Sequence, residues 1–213
     1  MFIFVFPSEG CAIALANTLT SDGAATSGGG FIAAAISDAF SLFVVVSMSE
    51  NISGGHVNPA VTFGVFLGGH ISLYKSIWYW IAQLLGSVTA LFLLKVATGG
   101  LDTSSYALRV YATIIDPKSG DMECIAPISI GFVVGGNTLG GGGLYGAAMN
   151  PAMAFGQAVD SWKWNSHWIY RLGPFVGAPI AALVYESIFI DSQNTHEQLP
   201  SKTVEKEYLI QVE

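Results

Sequence analysis

Two stretches of this chain repeat one another around an asparagine and a proline. Ser53-Gly-Gly-His-Val-Asn-Pro-Ala-Val-Thr-Phe-Gly64 pairs with Tyr145-Gly-Ala-Ala-Met-Asn-Pro-Ala-Met-Ala-Phe-Gly156 at an offset of 92 residues from asparagine to asparagine. Gly54/Gly146, Asn58/Asn150, Pro59/Pro151, Ala60/Ala152, Phe63/Phe155 and Gly64/Gly156 match position for position. A single Asn-Pro does no more than start a helix, because asparagine caps the first turn and proline fits the first helical position. Two copies in matched settings, each after an apolar run, imply more. Each begins a helix of about ten residues, too short to cross a bilayer. Irregular backbone at membrane depth persists only where protein or a wet cavity covers it. Two such helices entering from opposite faces would meet N-terminus to N-terminus. Their positive dipole ends would repel cations, and the two amides would donate hydrogen bonds to a neutral molecule passing between them. The chemistry is selective permeation, with no bond made or broken.

Those turns need membrane helices to hold them, and the composition supplies them. Of 213 residues, 52% are hydrophobic and only 11% charged, against about 25% in soluble domains. A mean hydropathy of +0.53 agrees. With 8 Lys+Arg and a net charge of −7 there is no basic patch for nucleic acid. Four stretches have the roughly 20 apolar residues a span needs: Phe31–Ser49, Ile77–Ala97, Ile125–Tyr145 and His167–Ile190. Met1–Asn17 is apolar but short, carrying Pro7 and Glu9. It reads as a clipped membrane helix rather than a signal peptide, since no basic residue precedes it. Lys75, Lys202 and Lys206 mark the candidate cytoplasmic face. Asp191–Glu213 reads as a polar tail after a single membrane domain at 1–190, made of one repeat at 1–98 and an incomplete second at 99–190.

Enzyme chemistry finds no support. No Ser/His/Asp set, metal cluster or paired carboxylate is legible, so no catalytic residue, metal or cofactor is expected. Cys11 and Cys124 have neither metal nor disulfide spacing. The glycines at 135, 136 and 140–143 lie in an apolar span without the Lys-Ser/Thr of a phosphate loop, and read as close helix packing. Trp78, Trp80, Trp162, Trp164, Trp168 and Tyr170 cluster at span ends, as an interfacial belt does. Arg171 is expected to snorkel to that interface.

With both Asn-Pro-Ala turns in view, the sequence resembles the aquaporin, or major intrinsic protein, family. Tyr79-Trp-Ile-Ala-Gln-Leu-Leu-Gly86, Tyr111-Ala-Thr-Ile-Ile-Asp-Pro-Lys118, Ile125-Ala-Pro-Ile-Ser-Ile-Gly-Phe132 and His196-Glu-Gln-Leu-Pro200 are similar to its tonoplast intrinsic protein subgroup. The resemblance implies an all-α membrane fold, an inverted repeat of spans with two re-entrant half-helices. It also implies passage of water and small neutral solutes, homo- or hetero-tetramers with related channels, and the vacuolar membrane. The Asn-Pro-Ala residues Asn58, Pro59, Ala60, Asn150, Pro151 and Ala152 would line the pore, supported by His56, Gly54 and Gly146. By alignment to the family, Asp38, Thr138, Ala147 and Met153 would form the selectivity constriction. Asp38 is conspicuous on physical grounds too, because an ionisable residue inside a span is costly.

The pattern is incomplete. The N-terminus reads as truncated, and about five spans are present instead of six. Leu101–Ile115 stands where the family has a loop and a whole fourth helix, and Tyr106–Ile115 would measure about 15 Å as helix. By parity, losing that span puts both turns on one face, so the half-helices would not oppose each other. Opposition would require the residues between about 98 and 125 to cross as irregular chain, at several kcal/mol per unpaired backbone group in lipid. Two functions therefore stand as expectations: a passive channel, or a non-conducting, interfering subunit that assembles with intact relatives.

Overall fold

The structure is a computed structural model, and it describes residues 1–20, 28–100, 125–145 and 148–185, with Ser187. These form α1 (Phe2–Thr20), α2 (Gly28–Ser53), α3 (Pro59–Leu67), α4 (Leu73–Ala97), α5 (Ile125–Tyr145), α6 (Pro151–Ser161) and α7 (Ile169–Tyr185). Each expected apolar stretch contains a helix, though α2 and α4 start earlier than expected, α7 starts at Ile169 rather than His167, and residues 188–190 of the last stretch lie outside the described residues. Pro7 does not break α1. The two Asn-Pro-Ala stretches are the short helices α3 and α6, of 9 and 11 residues. At 1.5 Å per residue they measure about 13 and 17 Å, half a bilayer or less.

The bundle buries several polar side chains within its apolar interior and turns large apolar ones outward. Phe40, Val96 and Phe132 are 62%, 77% and 72% exposed, while Ser8, Glu9, Thr62, Gln83, Ser87 and Thr138 are buried. A water-soluble fold would invert this, so the exposed apolar surface is what lipid covers. Ile32–Ser53 and Leu73–Ala97 are long and apolar enough to cross a membrane, and Phe2–Ala14, Ile125–Gly141 and Ile169–Tyr185 are shorter apolar helices beside them.

α2 and α5 pack backbone against backbone. A Cβ on Gly131 would stand 2.6 Å from the Ala39 carbonyl, and one on Gly135 would stand 3.0 Å from that of Ala35. Small residues permit such an approach. The packing role expected of the neighbouring glycines does not extend to Gly136 and Gly140, which face no atom within 4 Å. α1 packs on α2 and α4. Phe4, Val5, Leu91 and Leu94 share one apolar cluster with Val45 and Val134.

The half-helices fill opposite halves of the bundle. Along α4, Trp80 and Gln83 meet Pro59 and Thr62 of α3, while Lys95 meets Asp160 of α6. Along α7 the order reverses. His167, just before it, meets Ala154 of α6, Phe175 meets Phe63 of α3, and Ala178 backs Gly64 of α3. Hence α4 and α7 run in opposite senses, and α3 and α6 point away from each other. The parity expectation, that both turns would lie on one face, is corrected. The physical reason is that the direction of each half-helix is set by what it packs on along α4 and α7, not by the number of helices between them. Residues 101–124 themselves lie outside the described residues.

Candidate functional site: the meeting point of two half-helices

Asn58 and Asn150 cap α3 and α6 in the same way. Each takes extended backbone, and each side-chain Oδ1 accepts the amide two residues on, Ala60 N at 2.9 Å and Ala152 N at 3.1 Å. Pro59 and Pro151 occupy the first helical positions, where no N–H is needed. The carboxamides also reach across to each other's turn. Asn58 Nδ2 donates to Met149 O at 3.0 Å, and Asn150 Nδ2 donates to Val57 O at 2.7 Å. A carboxamide nitrogen has two N–H groups. One from each asparagine is spent on this reciprocal bond, and the second meets no protein acceptor among the described residues. Two positive helix ends and two oriented N–H donors thus converge on one place near mid-bundle.

The first turn is held by its surroundings. Thr62, fully buried, donates to Asn58 O and lies 3.0 Å from Gln83 Nε2, which donates to it. His56 Nδ1 lies 3.2 Å from the same hydroxyl, and the His56 ring packs on Tyr79 at 5.0 Å. Trp80 Nε1 donates to Pro59 O, and the Tyr79 hydroxyl donates to Ser53 O. Gly54 has φ +77, and a Cβ there would stand 3.1 Å from His56 Nε2, so the turn needs glycine twice over. His56 and Gly54 therefore stand where a loop support would, while Gly146 falls outside the described residues.

Of the four residues expected to narrow the mouth, two come together. Asp38 of α2 accepts the Thr138 hydroxyl of α5 at 3.1 Å, and it also accepts the Ser8 hydroxyl of α1. Three helices therefore close on one carboxyl group. Met153 is half-buried against the apolar cluster and makes no recorded bond to this group. Ala147 lies outside the described residues.

Residues 1–109 and 101–185 match the model of the family described as Major intrinsic protein. The chain belongs to the major intrinsic protein family. Among its relatives are Aquaporin TIP1-2 of Musa acuminata, 56% identical over 93% of this chain and 86% of that protein, and Aquaporin TIP1-1 of Arabidopsis thaliana, 53% identical over the same shares. These identities place it in the tonoplast intrinsic protein subgroup. The X-ray structure of the aquaglyceroporin from Plasmodium falciparum matches with a TM-score of 0.66 at 18% identity, covering 88% of this chain and 91% of that one. That likeness concerns the fold alone. This major intrinsic protein is therefore a multi-pass, all-α membrane protein of a channel family.

Several polar residues of this family member escaped the sequence reading. Glu9 of α1 is buried and accepts Gln157 Nε2 of α6 at 2.7 Å. Lys95 of α4 donates to Asp160 O at 3.2 Å and pairs with its carboxylate at 3.5 Å. A lysine at the C-terminal end of α6 also suits the negative end of that helix. Thr62, Gln83 and Ser8 gave no signal, because a single neutral polar residue in an apolar stretch does not name its partner. Glu9 did give one: an ionisable residue inside an apolar stretch.

Proposed function

We propose that this chain forms a pore for passive movement of water and small neutral solutes, with Asn58, Pro59, Ala60, Asn150, Pro151 and Ala152 at its narrow centre. The reciprocal hydrogen bond between the two Asn-Pro-Ala turns carries the reading. It fixes both carboxamides, leaves one donor on each, and aims two helix N-termini at the same point. A neutral molecule with a lone pair can exchange its water partners for these donors, whereas a cation meets two positive dipole ends. The relatives are named aquaporins, which supports water as a permeant. The TIP relatives also support the vacuolar membrane as location, and tetramers of like or related subunits are the assembly we propose.

Asp38, Thr138, Ala147 and Met153 are proposed as the outer constriction. The contact of Asp38 with Thr138 supports two of the four. No Lys or Arg is recorded against this carboxyl among the described residues, so cations are excluded less strictly here than at a mouth guarded by a cation.

The test is osmotic shrinkage of proteoliposomes, measured by light scattering. The chain should shrink vesicles faster than empty liposomes. Asn58→Ala and Asn150→Ala should each slow it, since each removes a cap worth about 1 kcal/mol and leaves the opposite carbonyl unpaired at about 1–3 kcal/mol. Shrinkage no faster than that of empty vesicles, from protein that elutes as a single species, would overturn the channel reading. It would favour a non-conducting subunit assembling with intact relatives.

A further inference from the structure

Outside the pore, Arg171 stands in an unusual place. It lies in the first turn of α7, where the helix dipole disfavours a cation. Its side chain is exposed, yet it is not loose: Nε donates to His167 Nδ1 at 3.1 Å, and the guanidinium lies 5.8 Å from the centre of the Phe155 ring. His167 is anchored in turn. Because Nδ1 accepts from arginine, the ring proton sits on Nε2, which lies 3.1 Å from Ala154 O of α6 and donates to it. The two terminal amino groups of Arg171 meet no carboxylate among the described residues. They border a cavity of about 410 Å³ lined by His167, Trp168, Arg171, Leu172 and Phe175. Arg171 brings the one positive charge to this lining, and Trp168, Leu172 and Phe175 make most of the rest aromatic and aliphatic. Trp168, part of this lining, is 64% exposed. Exposed tryptophans mark the level of lipid head groups.

We propose that this cavity seats the phosphate head group of an anionic phospholipid. The Arg171 guanidinium takes the phosphate, for which its planar array of donors is suited. The N-terminus of α7 adds attraction of the same sign. Leu172, Phe175 and Trp168 cover the glycerol and the first methylenes of an acyl chain. An anionic head group is favoured over a zwitterionic one because no described carboxylate stands by to take a choline or ethanolamine ammonium. The occupant is a lipid rather than free phosphate because most of the lining is apolar and would remain uncovered around an inorganic ion. His167 connects the site to the pore half-helix through Ala154, so a bound lipid braces the junction of α6 and α7.

Native mass spectrometry of the detergent-solubilised full chain tests this, with phosphatidylglycerol and phosphatidylcholine offered together. The wild type should retain phosphatidylglycerol with about a five-fold preference, the effect of one basic residue at a charged lipid surface. Arg171→Gln should abolish the preference, and Arg171→Lys should keep part of it. Elution as one species with an unchanged melting temperature without lipid identifies variants that still fold. Equal retention of the two lipids by the wild type overturns the proposal, as does a preference that survives in Arg171→Gln. Displacement of phosphatidylglycerol by excess inorganic phosphate also overturns it, by assigning the site to a free anion. The readout is lipid retention, so it stands apart from whether the pore conducts.

Discussion

At the scale of single residues, the chemistry rests on groups whose position costs free energy. Asp38 is the plainest. A carboxyl inside a span is expensive unless satisfied, and here hydroxyls from α1 and α5 satisfy it. Such a group near a permeation path attracts cations. Asp38→His should therefore lower cation leak through proteoliposomes, read with a sodium-sensitive dye, while water flow persists; an unchanged leak would remove Asp38 from the constriction. His167 offers a pH test. It sits in the connection between α6 and α7, and its bonds to Arg171 and Ala154 use the neutral ring. Burial lowers its pKa from the usual value, the bond to Ala154 opposes this, and the charge of Arg171 lowers it further. The unfolded chain then takes up the proton that the folded one resists. Stability is full above the unfolded pKa of about 6.5 and declines as pH falls below it. Melting temperatures taken from about pH 7.5 to about 5.5 should fall more steeply for the wild type than for His167→Gln. Parallel curves would show that the ring does not titrate differentially.

At the scale of elements, close approach decides the fold. Gly131 and Gly135 let α5 lie directly on the α2 backbone. A side chain on Gly131 would strike a carbonyl oxygen of α2, and backbone cannot swing aside as a flexible side-chain tip can. Gly131→Val should therefore destabilise the protein by the 1–3 kcal/mol typical of overpacking, or more. Gly136→Ala, five residues along and facing open space, should be neutral or slightly stabilising, as alanine is the better helix former. Thermal unfolding followed by circular dichroism separates the two, and equal effects would refute the packing argument. The elements were legible because their signals are local. An apolar run of sufficient length gave each span, and Asn-Pro gave the start of each half-helix. Which glycines pack was not legible, because the sequence gives no facing partner. Gly135 and Gly136 read alike in sequence, yet only Gly135 meets α2.

At the scale of the whole molecule, the question is which way the half-helices face. α3 and α6 lie in opposite halves of the bundle, so their C-terminal ends open to opposite sides of the membrane. Gly69→Cys, just past α3, and Lys163→Cys, just past α6, should be labelled by a membrane-impermeant maleimide from opposite sides of sealed vesicles, with Cys11 and Cys124 replaced by serine. Labelling of both from one side would restore the parity expectation and remove the symmetric pore. Counting helices could not resolve this point. A count follows the order of helices along the chain, whereas the direction of each half-helix is set by what it packs on along α4 and α7.

The sequence by itself determined the class, the family resemblance, the apolar stretches that hold the long helices and the two asparagine turns. Each of these depends on composition or on residues within a few positions of one another. The tertiary structure alone decided that Asn58 and Asn150 bond across to each other's turn, that Asp38 is shared by three helices, and that Glu9 meets Gln157. It also decided that Arg171 is fixed by a histidine tied to α6. These pairs stand between 4 and 148 residues apart, and even the nearest, Arg171 and His167, matters only through what His167 touches on another helix. Hydrogen bonds inside a membrane protein are made where side chains from different helices converge, and convergence is a property of packing that no local pattern encodes.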